Sequence, residues 1–288
     1  MKKFITLLLA VLMVASLAAC GSTPSTDNQG SADAEESTAS GVQLKILDAA
    51  YADEDYAIAI AKENTDLLEQ INTALDALIA DGTVQQVVDY YISGEGELPA
   101  YQQEVADDAA VLTMATSVDF PPYEFYENEQ AVGIDVVVAS LIADQLGMKL
   151  DVVDTAFDSI IGTVVSGKAD IGMAGMTVNE ERLESVNFST SYAKGVQVII
   201  VPEDSAYTSY EDLVAAIEDG ENIQVGTQNG TTGFFYASDT IENFGFGEDH
   251  VQAFNKGADA IQALVTGKID CVIIDSAPAQ AFVEANNA

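Results

Sequence analysis

The chain has 288 residues, of which 48% are hydrophobic, and it carries 47 acidic side chains against ten basic ones, a formal net charge of −37. This apolar content is sufficient for a folded core. The acidic excess argues against nucleic acid as a partner, because proteins bind its phosphates through lysine and arginine. Among the basic residues there is a single arginine, Arg182.

The first twenty residues have the features of an export signal. Lys2 and Lys3 precede the apolar run 4–19, which is shorter than the roughly 20 residues of a membrane-spanning helix. The sequence LAAC, ending at Cys20, resembles the lipobox of bacterial lipoproteins. We therefore predict a lipoprotein signal peptide at 1–20 and a lipid anchor on Cys20, at the outer face of the bacterial cell membrane. An ordinary secretory signal with an incidental cysteine is the alternative.

A polar segment separates this signal from the folded body. Residues 21–41 contain no large apolar side chain, so they cannot offset the entropy lost on ordering and are predicted to be a disordered linker. Beyond them, β-branched runs alternate with helix-like periodic segments, which indicates an α/β protein with mostly parallel sheets. About 245 structured residues exceed one average domain, so we expect two lobes.

The predicted strands are short runs of β-branched and apolar residues between turn signals. They lie at 42–47, 57–61, 111–115, 150–153, 170–173, 196–201, 223–226 and 271–274. The predicted helices have apolar residues spaced three and four apart. They lie at 65–80, 134–145, 158–165, 179–184, 210–218, 258–265 and 278–286. Residues 94–108, with Gly, Pro and acidic residues, interrupt this alternation and are predicted to be a linker.

Four motifs in one order resemble the amino-acid class of extracytoplasmic solute-binding proteins that supply ABC-type importers. They are FPPYEF at 120–125, DIGMAGMTVNEERLESVNFSTSY at 170–192, VGTQNGTTG at 225–233 and ADAIQALVTGKIDCVIID at 258–275. The resemblance covers nearly everything from Val111 to the C-terminus. It implies a two-lobed, periplasmic-binding-protein-like fold of type II, in which each lobe is a sheet flanked by helices and a hinge lies between them.

One segment departs from the family order. Residues 44–93 resemble the family's C-terminal portion, yet they precede the portion that normally starts the protein. We therefore predict a circular permutation, with a hinge or lobe 2 strand at 42–51, lobe 1 at 52–194, lobe 2 at 195–288, and residues 94–108 joining the family's usual termini. The alternative is an unrelated helical insertion in front of a truncated binding domain.

The resemblance places the ligand site around the lone arginine. A planar guanidinium binds a carboxylate through two parallel hydrogen bonds, and Arg182 resembles the family's carboxylate-binding residue. Asp275, at the end of an apolar strand, resembles the family's ammonium-binding carboxylate. Two alternatives stay open: Arg182 pairs with Glu180 or Glu184 on a helix surface, or Asp275 caps the helix that follows it.

The resemblance implies further polar contacts from both lobes. Ala174, Gly175 and Thr177 resemble a strand-to-helix turn that offers backbone groups and a hydroxyl to the ligand, and the glycine permits close approach. Thr177 is equally suited to be an N-cap. Thr231 and Thr232 would bring hydrogen-bond donors from lobe 2 to the ligand carboxylate.

The remaining contacts concern the ligand side chain. Phe120 and Phe157 resemble aromatic walls around the ligand stem, although aromatic side chains are commonly part of a core. Gln228 is a candidate selector of the side chain. Ser117 stands where related receptors often carry an acidic group that binds a basic ligand tail, which argues against lysine, whereas nearby acids such as Glu124 keep a cationic ligand open.

The implied function is capture of a polar amino acid and its delivery to ABC permease subunits, by a lipid-anchored monomer without a cofactor or metal. A receptor that senses amino acids is one alternative. Dehydratases and peptidoglycan-cleaving enzymes on the same fold are another. The lone histidine, His250, lies away from every motif, and the sequence shows no Ser/His, Cys/His or metal-ligand cluster. We therefore predict that the chain is not an enzyme.

Overall fold

The computed structural model describes residues 41–103 and 105–288, without the side chains of residues 48–52. The predicted signal peptide, Cys20 and the disordered linker up to residue 40 lie outside the described residues. In the part of the chain that is described, no helix is sufficiently long and apolar to cross a membrane.

The elements follow one another in three stretches. The first comprises β1 (Leu44–Tyr56), β2 (Ala59–Ala61), α1 (Thr65–Ala80) and α2 (Thr83–Ser93). The second comprises β3 (Val111–Thr116), β4 (Phe125–Glu127), β5 (Gln130–Val132), α3 (Ile134–Leu146), β6 (Lys149–Asp154), α4 (Ile160–Val165), β7 (Ile171–Gly172), α5 (Glu180–Ser185) and β8 (Val186–Phe188). The third comprises β9 (Ala193–Pro202), α6 (Tyr210–Glu218), β10 (Val225–Gln228), α7 (Thr232–Ser238), β11 (Val251–Phe254), α8 (Gly257–Val265), β12 (Cys271–Asp275) and α9 (Ser276–Asn287).

Every helix and strand predicted from the sequence is present, with bounds shifted by a few residues at most places. The elements that were not predicted are α2, α7 and the short strands β4, β5, β8 and β11. Asp81 and Gly82, a sequence typical of a helix end, follow α1, and Gly82 takes the left-handed conformation, φ 84°, directly before the next helix. A new helix can follow a glycine stop at once, so the stop signal concealed α2.

The strands form two five-stranded sheets and a two-stranded ribbon, β4 with β5. The sheet of lobe 1 has the order β6-β3-β7-β2-β8, and the sheet of lobe 2 has the order β1-β9-β12-β10-β11. β3 and β10 pair in parallel with their neighbours, but β2 and β9 pair antiparallel with theirs. The expectation of mostly parallel sheets is wrong. All antiparallel pairs of the two five-stranded sheets involve β2 or β9, which belong to the two segments that pass between the lobes in opposite directions, β1 to β2 and β8 to β9.

Two strands connect the lobes. β1 pairs antiparallel with β9 from Leu44, opposite Pro202, to Tyr56, opposite Ala193, with register shifts on either side of residue 50. After β1 the chain enters the sheet of lobe 1 as β2, whereas β9 leaves that lobe from β8. The predicted boundary at residue 52 therefore falls inside one continuous strand.

Residues 44–93 are an integral part of both lobes. β2 lies between β7 and β8, and α1 and α2 pack on α3 through buried side chains. These side chains are Ile71, Ala74, Leu75, Leu78, Val84 and Val87. At the other end of the segment, the backbone N–H of Leu44 donates to Oδ1 of Asn287 at 2.9 Å, and Nδ2 of Asn287 donates to the carbonyl of Leu44 at 2.8 Å. The end of α9 thus lies beside the start of β1.

Candidate functional site

One cavity between the two lobes gathers all the side chains for which a ligand contact is predicted. Its lining consists of Ser117, Phe120, Phe157, Ala174, Gly175, Thr177, Arg182, Gln228, Thr231, Thr232 and Asp275, together with Glu124. The cavity itself is narrow, about 10 Å³, which is room for roughly one water molecule. The fold brings the predicted residues together, and their contact with a ligand stays a prediction.

Arg182 is the buried cation of this cavity, with 6% of its surface exposed. Its Nη1 donates to the carbonyl of Thr177 at 2.7 Å, its Nη2 donates to the carbonyl of Gly230 in lobe 2 at 3.1 Å, and the guanidinium lies 5.3 Å from the centre of the Phe157 ring. No carboxylate oxygen of the described side chains lies within 4.0 Å of it. Burial lowers the pKa of Arg182. The alternative of a surface pair with a helix neighbour is wrong.

Local hydrogen bonds hold the start of α5 in place. The N-cap is Asn179, whose side chain accepts from the backbone N–H of Arg182 at 2.8 Å. Thr177 is therefore not the cap. Its hydroxyl donates instead to Oε2 of Glu54, on β1, at 2.8 Å.

Gly175 permits a close approach to its backbone, but the group that comes close is a ring of the protein itself. Its φ is +51°, and a Cβ at this position would lie 2.9 Å from the ring of Phe120. Its backbone N–H donates to Oδ2 of Asp135 at 2.8 Å. This N–H, which the resemblance offered to the ligand, is thus engaged inside the protein.

Asp275 ends β12 as a buried carboxylate with 6% exposure. It occupies the N-cap position of α9, but its side chain makes no capping hydrogen bond, so the capping alternative is wrong. Its Oδ1 accepts instead from the hydroxyl of Tyr56. This contact requires Gly195, because a Cβ there would overlap the Tyr56 hydroxyl. Burial, and then the charge of Glu54, raises the pKa of Asp275 to about 7.

Two further buried acids, Glu124 and Asp135, lie close together near Phe120. Glu124 is fully buried, and its carboxyl group is hydrogen-bonded to the neighbouring carboxyl group of Asp135. Burial and the nearby charge of Asp135 raise the pKa of Glu124 well above its ordinary value. Asp135, whose pKa burial raises to about 7, receives the O–H of Tyr192 at 2.9 Å as well as the N–H of Gly175. Asp135 therefore carries the charge of the pair more readily, and Glu124 keeps the proton.

The hydroxyls of lobe 2 already have partners in the protein. Thr231 caps α7, accepting from the N–H of Phe234 at 3.2 Å, and donates to the carbonyl of Gln228 at 2.8 Å. Thr232 donates to Oε2 of Glu54 at 3.0 Å. Both hydroxyl protons are thus used, so the expectation that Thr231 and Thr232 donate to a ligand carboxylate does not fit this geometry.

Ser117 and residues at the edge of the cavity also make polar contacts within the protein, and some of these contacts join the two lobes. The hydroxyl of Ser117 donates to Asp119 at 2.9 Å, and Asp119 pairs with Lys256 of lobe 2 at 3.6 Å. Asn229 of lobe 2 donates to Asp158 of lobe 1 at 2.7 Å. The two lobes therefore touch at the rim on both sides of Arg182.

Glu54, Tyr56 and Asp135 belong to the site's surroundings without having been singled out from the sequence. They lie outside the motif positions that the resemblance assigned, and a single sequence gives no sign that β1 passes beneath the cavity. Asp135 stands at the second residue of α3, where an acid has an ordinary structural explanation at a helix start.

Comparison with known proteins gives one consistent family. The model of the bacterial extracellular solute-binding proteins, family 3, matches residues 112–270. The arginine-binding extracellular protein of Bacillus subtilis (strain 168) is 36% identical over 102 residues, 35% of this chain and 40% of that protein. A probable histidine-binding protein of Neisseria gonorrhoeae is 29% identical over 184 residues, 64% of this chain and 65% of that protein. The chain thus spans about half the length of the curated relatives it matches.

Solved structures show the same likeness. The arginine-bound form of truncated ArgBP from T. maritima is 40% identical, with a TM-score of 0.54 over 62% of this chain and 79% of that one. An ancestral arginine-binding protein bound to glutamine is 34% identical, with a TM-score of 0.54 over 62% of this chain and 74% of that one.

We expect the protein without added ligand to become more stable as the pH falls from 8 to 5. Burial raises the pKa of Asp135 and Asp275 to about 7 from an ordinary 3.8. An acid whose pKa is higher in the folded than in the unfolded protein favours folding fully at a pH below its unfolded pKa. This contribution to stability is lost as the pH rises through its folded pKa. Thermal unfolding followed by circular dichroism at several pH values measures this.

The variant Asp275→Asn should flatten that pH profile, because the neutral amide has no proton to lose. Asp204→Asn, which changes an exposed acid in the same lobe, is the matched control and should leave the profile unchanged. A melting temperature that rises from pH 5 to pH 8 would contradict the assignment.

Proposed function

The chain belongs to the bacterial extracellular solute-binding proteins, family 3, and we propose that it captures a free cationic amino acid between its lobes for an ABC-type importer. The observation that carries this proposal is Arg182, a buried guanidinium with no carboxylate within 4.0 Å in the described part of the chain. A buried charge is costly unless it is paired. The carboxylate of a ligand is the bidentate partner that a guanidinium fits.

Asp275 supplies the complementary charge for the ligand's ammonium group. It is buried in the same cavity, where its side chain receives hydrogen bonds from Tyr56 and Gln197 but has no cation within 4.0 Å among the described side chains. An α-amino acid carries a carboxylate and an ammonium on one carbon atom, so a single small ligand satisfies Arg182 and Asp275 together.

Glu124 indicates the class of ligand side chain. It lines the cavity fully buried beside Asp135, and no cation of the described side chains lies within 4.0 Å of it, so a cationic group that displaces its proton would be its natural partner. Ser117 offers its oxygen as an acceptor nearby, because its proton goes to Asp119. The names of the relatives support a cationic ligand: arginine-binding proteins of Bacillus subtilis and Escherichia coli and a probable histidine-binding protein. Arginine is our first choice.

The family supports a proposal for delivery, and the N-terminal sequence supports one for location. We propose that closure of the lobes on the ligand presents the protein to permease subunits and that a lipid on Cys20 tethers it outside the cell membrane, as a monomer. A relative named cyclohexadienyl dehydratase, from Pseudomonas aeruginosa, is 28% identical over 109 residues, so the fold by itself does not exclude catalysis. We propose binding without turnover, because the binding proteins named above are more similar to this chain.

We also propose that the chain is a circular permutant. The structure of truncated ArgBP leaves about a fifth of its own length unmatched, 79% being covered. Residues 44–93 complete both sheets, and Leu44 is hydrogen-bonded to Asn287 at the other end of the chain. A direct connection from α9 to β1 would need only a short loop there, as in the usual order of the family.

Arg182→Ala should weaken arginine binding by about two to four orders of magnitude, from the roughly 3–5 kcal/mol lost when one member of a buried ion pair is removed. Arg182→Lys should recover part of this, since it keeps the charge but loses the planar fork. Isothermal calorimetry measures both. Lys168→Ala, which removes an exposed lysine of lobe 1, is the control.

A thermal-shift screen of the twenty common amino acids with ornithine and cystine identifies the ligand beforehand. A ligand at a hundred times its dissociation constant adds about 2.7 kcal/mol to stability. Unchanged affinity for arginine in Arg182→Ala, or no stabilisation of the protein by any cationic amino acid, would contradict the proposal.

Glu124→Gln should lower the preference for arginine over glutamine about 10- to 100-fold, because a hydrogen bond to a charged group contributes roughly 1.5–3 kcal/mol. The loss should appear in the affinity for arginine, while that for glutamine stays within a few-fold. Glu127→Gln changes an exposed acid of the neighbouring strand β4 and should alter neither. Equal losses for both ligands would show that Glu124 supports the cavity without selecting the side chain.

A reordered chain, in which residues 41–93 follow residue 288 and the chain starts at residue 109, should fold and bind the same ligand with similar affinity. Its far-ultraviolet circular dichroism and its calorimetric titration are compared with those of the natural order. A chain of residues 109–288 alone should fail to fold, because it lacks β1 and β2. Failure of the reordered chain to fold, with the natural order folding under the same conditions, would refute the permutation.

A further inference from the structure

We propose that Glu54 is a positioning residue that sets the hydrogen-bond polarity of the cavity, turning the hydroxyl oxygens of Thr177 and Thr232 toward the ligand as acceptors for its ammonium group. This inference rests on the proposed function and names what in that site distinguishes an amino acid from the same molecule without its amino group.

Glu54 joins three parts of the molecule through one oxygen atom. It stands on β1 opposite Gly195 and is 3% exposed. Its Oε2 accepts from the hydroxyl of Thr177 at 2.8 Å, from the hydroxyl of Thr232 at 3.0 Å and from Nε2 of Gln197 at 3.1 Å. Thr177 belongs to lobe 1, Thr232 opens α7 in lobe 2, and Gln197 lies on β9, which connects the lobes.

The count of protons decides what the two hydroxyls can do. A carboxylate only accepts, whereas a hydroxyl has one proton and two lone pairs. With both protons directed at Glu54, neither Thr177 nor Thr232 has one left for a ligand carboxylate. Thr232 uses one lone pair for Nε2 of Gln197 at 3.2 Å. Both residues line the cavity, so what they present there is acceptor oxygen.

Acceptor oxygens suit one part of an amino acid only. An ammonium group has three donors and no acceptor, and a carboxylate has acceptors alone. The ammonium would therefore meet the two hydroxyl oxygens and Asp275, while Arg182 is left to hold the carboxylate. Glu54 would do this without touching the ligand, since the cavity lining does not include it.

The test compares L-arginine with 5-guanidinopentanoic acid, which keeps the carboxylate and the guanidinium but lacks the α-amino group. Both are titrated by calorimetry into the full-length protein and its variants. In the natural protein the amino group should improve affinity at least about 100-fold. In Glu54→Leu, which removes the acceptor, L-arginine should lose about 10- to 100-fold and the des-amino ligand less than about threefold.

Glu54→Gln separates orientation from charge. Its amide oxygen can take the place of Oε2 and accept from the same three donors, so it should keep most of the preference for L-arginine. Asp53→Asn, an exposed acid beside Glu54 on the same strand, is the charge-matched control and should change nothing. Equal losses of affinity for the two ligands in Glu54→Leu would overturn the proposal. So would a loss of the preference for L-arginine in Glu54→Gln as large as that in Glu54→Leu.

A measurement without ligand keeps the two proposals apart. Glu54→Leu, Thr177→Val and the double variant are unfolded in urea, and the shifts of the midpoint should be non-additive, because each single change breaks the same hydrogen bond. If Glu54→Leu does not fold, Glu54→Ala, which also removes the acceptor, replaces it in the cycle. Additive shifts would refute the role of Glu54 even where arginine binds. Non-additive shifts with no binding of any amino acid would refute the proposed ligand alone.

Discussion

The arrangement of this protein depends on a guanidinium that is removed from water without an ionic partner among the described residues. Arg182 is held by two carbonyls, one from each lobe, and by the face of Phe157. Carbonyl oxygens satisfy its N–H groups but do not neutralise its charge. The buried acids around it, Asp275 and Glu124, are likewise without a cation in the described part of the chain. Burial raises the pKa of both acids, and in the proposed function an amino acid with a cationic side chain supplies the ionic partners that all three side chains lack.

The hinge strand β1 contributes more than a connection between the lobes. Glu54 and Tyr56, two residues apart, both direct their side chains to the cavity's surroundings, one to the hydroxyls and the other to Asp275. Residues two apart on a strand lie on the same face, so one strand can supply both contacts. Gly195 on the paired strand leaves room for the tyrosine. The mechanical link between the lobes and the polar framework of the site are therefore the same piece of chain.

Periodicity was sufficient for the long elements, whereas the candidate lining of the cavity came from the family resemblance. Helix α1 has the predicted bounds because six apolar residues recur along one face, and Asp81 with Gly82 ends it. The lining residues came from motifs in which type and spacing are tied to a strand-to-helix turn. The short strands β4 and β8 have three residues each, too few for a period to show, and only their partners in the sheet define them.

By itself the sequence determined the α/β class and the long helices, because these depend on residue type and on spacing along the chain, and its resemblance to a family indicated the side chains that line the cavity with Arg182. Only the tertiary structure decided the direction of each hydrogen bond. Whether Thr232 donates to a ligand or to Glu54 depends on a residue 178 positions away. Whether Asp275 caps a helix or receives a tyrosine depends on the path of β1. Such choices follow from which groups meet in space, and a single chain read in order does not contain that information in its local patterns.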